Sequence, residues 1–121
     1  MQRLEVSADN VANADSDGPL RSAPAAAQTQ YPAAYAPQHV DQVETAGGGT
    51  AAVVSNVEPG TVAMFDPGAP YADANGLVAS PNVDYAAEAM AQVTASYEFA
   101  FNALVMRVYS QIMKSGQDIQ A

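Results

Sequence analysis

The feature that most constrains this chain is the stretch from Asp84 to Ser115, which contains neither Gly nor Pro. Asp84 predicts the start of a helix, because its carboxylate can accept hydrogen bonds from the free amides of the first turn and lies at the positive end of the helix dipole. Gly116 predicts the end. A helix of this length extends about 45 Å, which is typical of a coiled coil or a repeating assembly. We therefore predict one long C-terminal helix within residues 83–121.

Large apolar side chains follow a heptad along this helix. With Met90, Tyr97 and Leu104 at d positions, Phe101 and Val108 fall at a positions, so an apolar seam continues for about three heptads. Neighbouring positions widen the seam until it covers more than half of the circumference, and a helix this apolar needs burial on several sides. The predicted helix-packing residues are Met90, Tyr97, Phe101, Leu104, Val108 and Ile112.

The rest of the chain offers little to cover that surface. Leu4 and Val11, with Ala8 between them, lie on one helical face and predict a short N-terminal helix within residues 1–15, with Leu4 and Val11 as its packing residues. Residues 16–49 are rich in Pro, Ala and Gly without sustained periodicity, which predicts a disordered linker.

Residues 50–82 predict a small region of strands and turns, with 50–57 and 61–65 forming a hairpin around Glu58-Pro59-Gly60. The predicted fold class is α+β, mainly α: a long C-terminal helix of coiled-coil type, a short N-terminal helix, a small β-hairpin region and a disordered loop between them. We therefore predict that other subunits bury the apolar surface of the long helix. A core helix in a monomeric domain is the alternative interpretation.

Charge excludes some classes of partner. Thirteen acidic residues against four basic ones give a formal charge of −9, which disfavours nucleic acid and anionic lipid, since both require clusters of Lys or Arg. The chain has no Cys, so it forms no disulfide and offers no thiolate. Residues 1–6 lack the apolar run of a secretory signal, and no stretch approaches the roughly 20 apolar residues that span a bilayer.

Few residues suggest chemistry. His39 lies beside Asp41 without a second His or a Cys, and is best interpreted as a solvated loop residue. Asp73, Asn75 and Asp84 have a spacing similar to a calcium loop, but Val78 stands where such a loop requires Gly, so a turn is favoured.

Paired carboxylates are the remaining possibility for catalysis. The two pairs are Glu88 with Glu98 and Asp66 with Asp73, and nothing in the sequence places either pair in an apolar pocket that would shift a pKa. We predict no catalytic, cofactor-binding or metal-binding residue, and no enzyme.

Three stretches resemble one known family, the bacterial flagellar axial (rod and hook) proteins, and within it the proximal rod proteins of the FlgC type. Residues 7–15 are similar to the N-terminal rod signature, 65–83 to the family's most specific motif, and 88–102 to the start of its C-terminal helix. Tyr97 and Phe101 depart from the last motif. The matching signature residues are Asn10, Asn13, Asp66, Pro67, Gly76, Pro81, Asn82 and Asn102.

This resemblance implies that the terminal helices pair as a coiled coil and that copies pack helically, with homologous rod subunits, into an axial tube. It also implies a location in the periplasm-spanning rod of the basal body, reached through the flagellar type III export apparatus without a cleavable signal peptide, and no small-molecule substrate. The family's N-terminal helix begins well before the signature, so the resemblance implies a shortened helix here. The alternative is a soluble, export-linked binding module, or a divergent truncated rod paralogue, that docks one partner through the long helix without polymerising.

Overall fold

The computed structural model describes residues 1–120 and places three helices and four strands along them. In chain order these are α1 (Gln2–Ala12), α2 (Ala25–Gln30), β1 (Gln38–Glu44), β2 (Thr50–Asn56), β3 (Thr61–Phe65), β4 (Leu77–Pro81) and α3 (Tyr85–Gln120). The predicted α+β class, with a long C-terminal helix, a short N-terminal helix and a small β region, is confirmed, and the β region consists of two small antiparallel hairpins.

The long helix α3 begins where the sequence predicts. The Oδ1 atom of Asp84 accepts hydrogen bonds from the backbone N of Ala86 at 3.0 Å and of Ala87 at 3.2 Å, which satisfies two free donors of the first turn. The predicted end at Gly116 is wrong, because α3 continues to Gln120. Gly116 does not adopt the positive φ of a helix stop, and a helical Gly costs only about 1 kcal/mol relative to Ala.

The strands pair differently from the prediction. β1 pairs antiparallel with β2, and β3 with β4, so the hairpin predicted between residues 50–57 and 61–65 is wrong. The reason lies in the turns. Gly48 and Gly49, with φ of 84° and 92°, connect β1 to β2, and Gly76, with φ of 75°, precedes β4. The connection Glu58-Pro59-Gly60 contains no residue with positive φ, whereas the two-residue turns that hairpins favour have at least one.

Residues 16–49 also differ from the predicted disordered linker, because they contain α2 and β1. The backbone of Gly18 forms an antiparallel bridge with Ala79, donating and accepting hydrogen bonds of 2.9 Å. The N of Tyr35 donates to the O of Ser16 at 3.0 Å. These long-range backbone bonds order a segment whose alanines and prolines carry no periodicity that a sequence pattern could reveal.

The core is small and lies around β4. Its buried apolar side chains are mostly those of alanine, together with Val78, which is fully buried. Ser7 and Asn10 of α1 are buried polar residues. So small a core leaves most of the large apolar side chains of the chain exposed, above all those of α3.

Candidate assembly interface

Helix α1 packs antiparallel against the first part of α3. The hydroxyl of Ser7 donates to the backbone O of Glu88 at 3.1 Å and accepts from Nε2 of Gln92 at 3.2 Å. Arg3, one turn earlier in α1, lies 4.0 Å from the carboxylate of Glu98, further along α3. The pairing is therefore polar, and it ends near Glu98.

The face of α1 that meets α3 is not centred on the predicted packing residues. Arg3, Ser7 and Asn10 form the contacting stripe, while Val11 is 38% exposed and Leu4 is half-buried. A small Ser at the centre lets the two backbones approach closely enough for Ser7 to reach a main-chain carbonyl of α3. A role for Leu4 and Val11 in contacts with other chains stays a prediction.

Asn10 is the buried centre of this junction. Its Nδ2 donates to the O of Gln38 and to Oε1 of Glu88, both at 2.7 Å. Its Oδ1 accepts from the hydroxyl of Tyr35 and from the N of Gln38, both at 3.0 Å. One side chain thus joins α1, β1 and α3 and uses all of its hydrogen-bonding capacity.

Burial at the same junction raises the pKa of Tyr35 above its ordinary value of 10.0, and the negative charges of Asp9 and Glu88 raise it further. Each of these effects disfavours tyrosinate, so they keep the hydroxyl as a donor to Asn10.

Three signature residues shape the turn between β3 and β4. The N of Asp66 donates to the O of Gly76 at 2.9 Å. A Cβ at Gly76 would lie 3.0 Å from Cε2 of Phe65 and 3.1 Å from Cβ of Pro67. With its positive φ as well, this position requires glycine.

Asp73 closes the same turn. Its Oδ1 accepts from the N of Asn75 and the N of Leu77, both at 2.9 Å, and its Oδ2 accepts from Ser22 at 2.8 Å. The hydrogen bond from Leu77, followed by that from Ser22, lowers the pKa of Asp73 below its ordinary 3.8 against a smaller opposing effect of burial. The predicted preference for a turn over a calcium loop agrees with this geometry.

The other signature residues divide between structural and exposed positions. Pro81 is buried, and Asn82 donates through Nδ2 to the O of Pro59 and through its backbone N to the O of Gly60, both at 2.9 Å. Asn13 donates to the O of Asp9 at 2.9 Å at the end of α1. Asn102 is exposed and lines an open groove between α3, the start of α1 and the β1–β2 hairpin.

Beyond the reach of α1, the described part of α3 has no cover. All residues from Ser96 to Gln120 are exposed, including five of the six predicted packing residues, and the sixth, Met90, is exposed as well. The exposed fractions of these six range from 45% at Val108 to 74% at Tyr97. We call Tyr97, Phe101, Leu104, Val108 and Ile112, with the apolar side chains around them, the α3 apolar surface.

His39 lies on β1 rather than in the predicted loop, opposite Ser55 of β2. Its Nε2 lies 2.9 Å from Oδ2 of Asp41 and 3.1 Å from Oγ of Ser55. Both partners meet the same ring nitrogen, whereas a nucleophilic triad needs the carboxylate on one nitrogen and the hydroxyl on the other. The three side chains are therefore not arranged for acyl transfer, and His39 is largely exposed, as predicted.

The carboxylates considered for catalysis interact with different partners and do not act as pairs. Glu88 accepts from Asn10, Glu98 lies beside Arg3, and Asp73 closes its turn. Within residues 1–120, no group of three His, Asp or Glu side chains is placed to hold a metal ion. Over the same residues, none of the helices combines the length and apolar character needed to cross a membrane.

Similarity to known proteins shows the family of this chain. No model of a protein family matches the chain. The flagellar basal-body rod protein FlgC of Yersinia enterocolitica is 37% identical to it over 113 residues, which cover 93% of this chain and 81% of that protein. The chain belongs to the FlgC family. The FlgC proteins of Salmonella typhimurium and Escherichia coli O6:H1 are 35% identical to it over the same coverage. The resemblance of this FlgC-family chain to rod proteins is thereby confirmed.

Proposed function

We propose that this chain is a structural subunit of the bacterial flagellar basal-body rod and that it assembles with other rod subunits, including copies of itself, through the α3 apolar surface. The relatives are named as rod proteins, and the structure offers a surface suited to assembly. The proposal rests on one observation, the exposed apolar surface of α3 beyond Glu98.

The dimensions of α3 favour several helical partners. From residue 99 to 120 the helix extends about 32 Å at 1.5 Å per residue, and α1 covers none of this length. Monomeric soluble proteins rarely expose so large a contiguous apolar surface unless it binds another molecule. Because apolar side chains lie on more than one face, burial requires helices on several sides, as in a packed tube of subunits.

Charge favours the same surface. α3 carries three acidic and two basic side chains, whereas most of the chain's thirteen acids precede it. Copies that repel through their acidic front halves can approach along the nearly neutral α3, since burying unpaired charge in an interface is costly. Association through α3 is therefore compatible with a chain of net charge −9.

We propose that the chain resides in the basal-body rod and reaches it through the flagellar type III export apparatus, without a cleavable signal peptide. The absence of Cys suits a chain that is exported unfolded, because no disulfide has to be reduced beforehand. We assign it no catalytic residue and no small-molecule substrate.

The test substitutes one residue of the surface. Leu104→Asp places a charge at the centre of the seam and is expected to abolish rod assembly and motility while the soluble chain is expressed at the wild-type level. Ser110→Asp adds the same charge on the more polar side of α3 and is the matched control, expected to assemble. Normal assembly of Leu104→Asp contradicts the interface. One-to-one complexes without larger oligomers, seen by light scattering of the wild-type chain, would favour a docking module instead.

A further inference from the structure

We propose that α1 of one copy of this chain packs, through the face that points away from its own α3, against a stripe of basic side chains on α3 of the next copy. The proposal rests on the proposed function, because it names one contact by which copies meet in the assembly. It uses the polar side of α3 and none of the five residues that define the α3 apolar surface.

The free side of α1 carries two acidic and two small side chains. Ser7 and Asn10 are buried, and at about 100° per residue the side of α1 opposite to them includes four residues that are all exposed. They are Glu5, Ala8, Asp9 and Ala12, which we call the outer α1 face. A second helix can therefore pack on α1 without displacing α3.

A stripe with matching properties runs along the uncovered part of α3. Residues spaced by four, seven and eleven positions share one face of a helix, and one such set beyond Glu98 combines two small and two basic side chains, all exposed. The set consists of Ala103, Arg107, Ser110 and Lys114, which we call the basic α3 stripe. Within residues 1–120, no ion pair involves the basic residues of the stripe or the acidic residues of the outer α1 face. These charges are therefore available for contacts between copies.

The distribution of charge along the chain points to a second copy as the partner. The residues up to Glu98 include twelve acidic and two basic side chains, whereas those after it include one acidic and two basic side chains. The end of α3 is thus net positive in a chain that is otherwise acidic, and it attracts the front of another copy while the fronts repel each other. Electrostatic complementarity of this kind selects the orientation of two partners.

Copies that point in the same direction bring the two faces together in the required orientation. α1 is antiparallel to α3 within one chain, so α1 of one copy is also antiparallel to α3 of a neighbour with the same direction. Glu5 then lies near Lys114, and Asp9 lies near Arg107. The two acidic residues are about 6 Å apart along α1 and the two basic residues about 10.5 Å apart along α3, a difference that the long, flexible Lys and Arg side chains can span.

The resulting register places the incoming helix beyond the end of the α1 contact within the chain. Arg3 lies beside Glu98 of its own α3, whereas in the proposed contact residue 3 of the next copy lies near Gly116. The next copy is therefore shifted by about 27 Å along α3, and its α1 covers residues that are otherwise uncovered. Because the two faces differ, the contact is heterologous and repeats from copy to copy in one direction.

This contact sets the register of an assembly that the α3 apolar surface holds together. The small side chains on both faces let the two helix axes approach closely. Exposed ion pairs contribute little to affinity and more to the orientation and rate of association. A single added charge, such as that of Ser110→Asp, is therefore still expected to permit assembly.

Covalent trapping tests the register. Ala8 and Ser110 face each other in the proposed contact, and the chain has no Cys of its own. Within one chain the two positions are about 30 Å apart along α3, so a disulfide joins them only between copies. Mild oxidation of the full chain carrying Ala8→Cys and Ser110→Cys should therefore give a ladder of dimers, trimers and larger products.

The matched control moves one thiol along the same stripe. Ala103→Cys, combined with Ala8→Cys, places the thiol about 10.5 Å from position 110, which is too far for a disulfide in the proposed register. We expect the pair with Ser110→Cys to cross-link at least about tenfold faster, because only that pair is held in place. Equal rates overturn the proposal. Products that stop at dimers also overturn it, since a contact between like faces closes with two copies.

Exchanging charges tests the ion pairs. In the chain with thiols at positions 8 and 110, Lys114→Glu is expected to slow cross-linking at least about threefold, and adding Glu5→Lys is expected to restore the rate. Where circular dichroism shows that Glu5→Lys loses helix, the exchange of Asp9→Lys with Arg107→Glu replaces it. A rate that Lys114→Glu leaves unchanged, or that the exchange used does not restore, overturns the proposal.

Leu104→Asp keeps this contact separable from the proposed function. Motility of cells that carry Leu104→Asp tests the α3 apolar surface, whereas the cross-link tests the outer α1 face. Loss of motility in that variant, together with equal cross-linking of the two thiol pairs, overturns the docking of α1 and leaves the proposed function standing. Motility that survives Leu104→Asp contradicts the proposed function, while faster cross-linking at position 110 still supports the docking of α1.

Discussion

Asn10 pairs with Gln38 as a neighbouring strand would, donating from Nδ2 to its carbonyl at 2.7 Å and accepting at Oδ1 from its N–H at 3.0 Å. A helix side chain thus satisfies the edge of β1 and, through its second donor bond to Glu88, joins that edge to α3. The packing of α1 on α3 and the position of the hairpin therefore depend on the same buried amide.

Replacing this amide by a carboxylate is expected to destabilise the fold strongly. Asn10→Asp removes both donor bonds and sets a second negative charge against Glu88, which should lower the free energy of unfolding by about 2–4 kcal/mol. Urea unfolding of the purified chain measures it. Asn13→Asp, which loses one bond to the backbone of Asp9, is the control and should cost no more than about 1 kcal/mol. Equal losses would contradict the central role of Asn10.

Gly18 is expected to tolerate no side chain. A Cβ there would lie against backbone atoms of Pro32, Ala33 and Ala34, the nearest of them 2.4 Å away, and backbone cannot move as easily as a flexible side chain. Gly18→Ala should therefore cost at least about 2 kcal/mol in urea unfolding. Gly47→Ala, where a Cβ meets nothing within 4 Å, should leave stability nearly unchanged. A neutral Gly18→Ala would show that the 16–49 segment packs differently.

Gly76 is constrained by its backbone as well as by space. Gly76→Ala must keep a φ of 75° and fit a methyl group beside Phe65 and Pro67, so we expect a loss of about 1–3 kcal/mol. Gly68→Ala in the same connection has its closest contact at 3.6 Å and no positive φ, and should be tolerated. Thermal unfolding of the two variants gives the comparison, and similar midpoints would be evidence against the turn.

We expect Asp73 to make the stability of the fold depend on pH in the acidic range. Its folded-state pKa lies below the ordinary 3.8, so its contribution is present above pH 3.8 and is lost as the pH falls through the folded pKa. Ser22→Ala removes one of the hydrogen bonds that lower this pKa, and should move the NMR titration of Asp73 upward. An unchanged titration midpoint would show that Ser22 does not hold the carboxylate in solution.

We expect Tyr35 to have the opposite effect, a loss of stability as the pH rises in the alkaline range. Its folded pKa lies above 10.0, so the stability it contributes is present below pH 10.0 and declines as the pH rises through the folded pKa. Tyr35→Phe removes the donor to Asn10 and should cost about 1 kcal/mol at neutral pH, with a weaker loss above pH 10.0 than the wild type. Tyr109→Phe, on the exposed part of α3, should reproduce the wild-type profile in urea unfolding at both pH values.

A structural feature of this chain can be predicted from the sequence when the residues that form it lie close together in the chain. Asp84 acts on amides two and three residues away, so the start of α3 could be predicted. Gly116 carries a local signal too, but one too weak to end a long helix. The hairpins could not be assigned by pattern, since β2 has apolar residues suited to either neighbour and the turn glycines select its partner.

The residues of the candidate interface could likewise be predicted only in part. The six packing residues of α3 follow from heptad spacing, and the structure leaves all of them exposed. Their contacts with other chains stay a prediction. On α1 the periodicity of Leu4 and Val11 pointed to an apolar face, whereas the contact with α3 is made by Ser7 and Asn10. Hydrogen bonding between distant segments leaves no trace in apolar periodicity.

The sequence by itself determined the long apolar helix with its cap at Asp84, the separation of an acidic front from a nearly neutral end, and the turn that contains Gly76, because each depends on side chains close together in the chain. Only the tertiary structure decided which strands pair, which face of α1 meets α3, and that residues 16–49 hold a helix and a strand. Those outcomes rest on contacts such as Gly18 with Ala79 and Asn10 with Gln38, whose partners lie far apart along the chain.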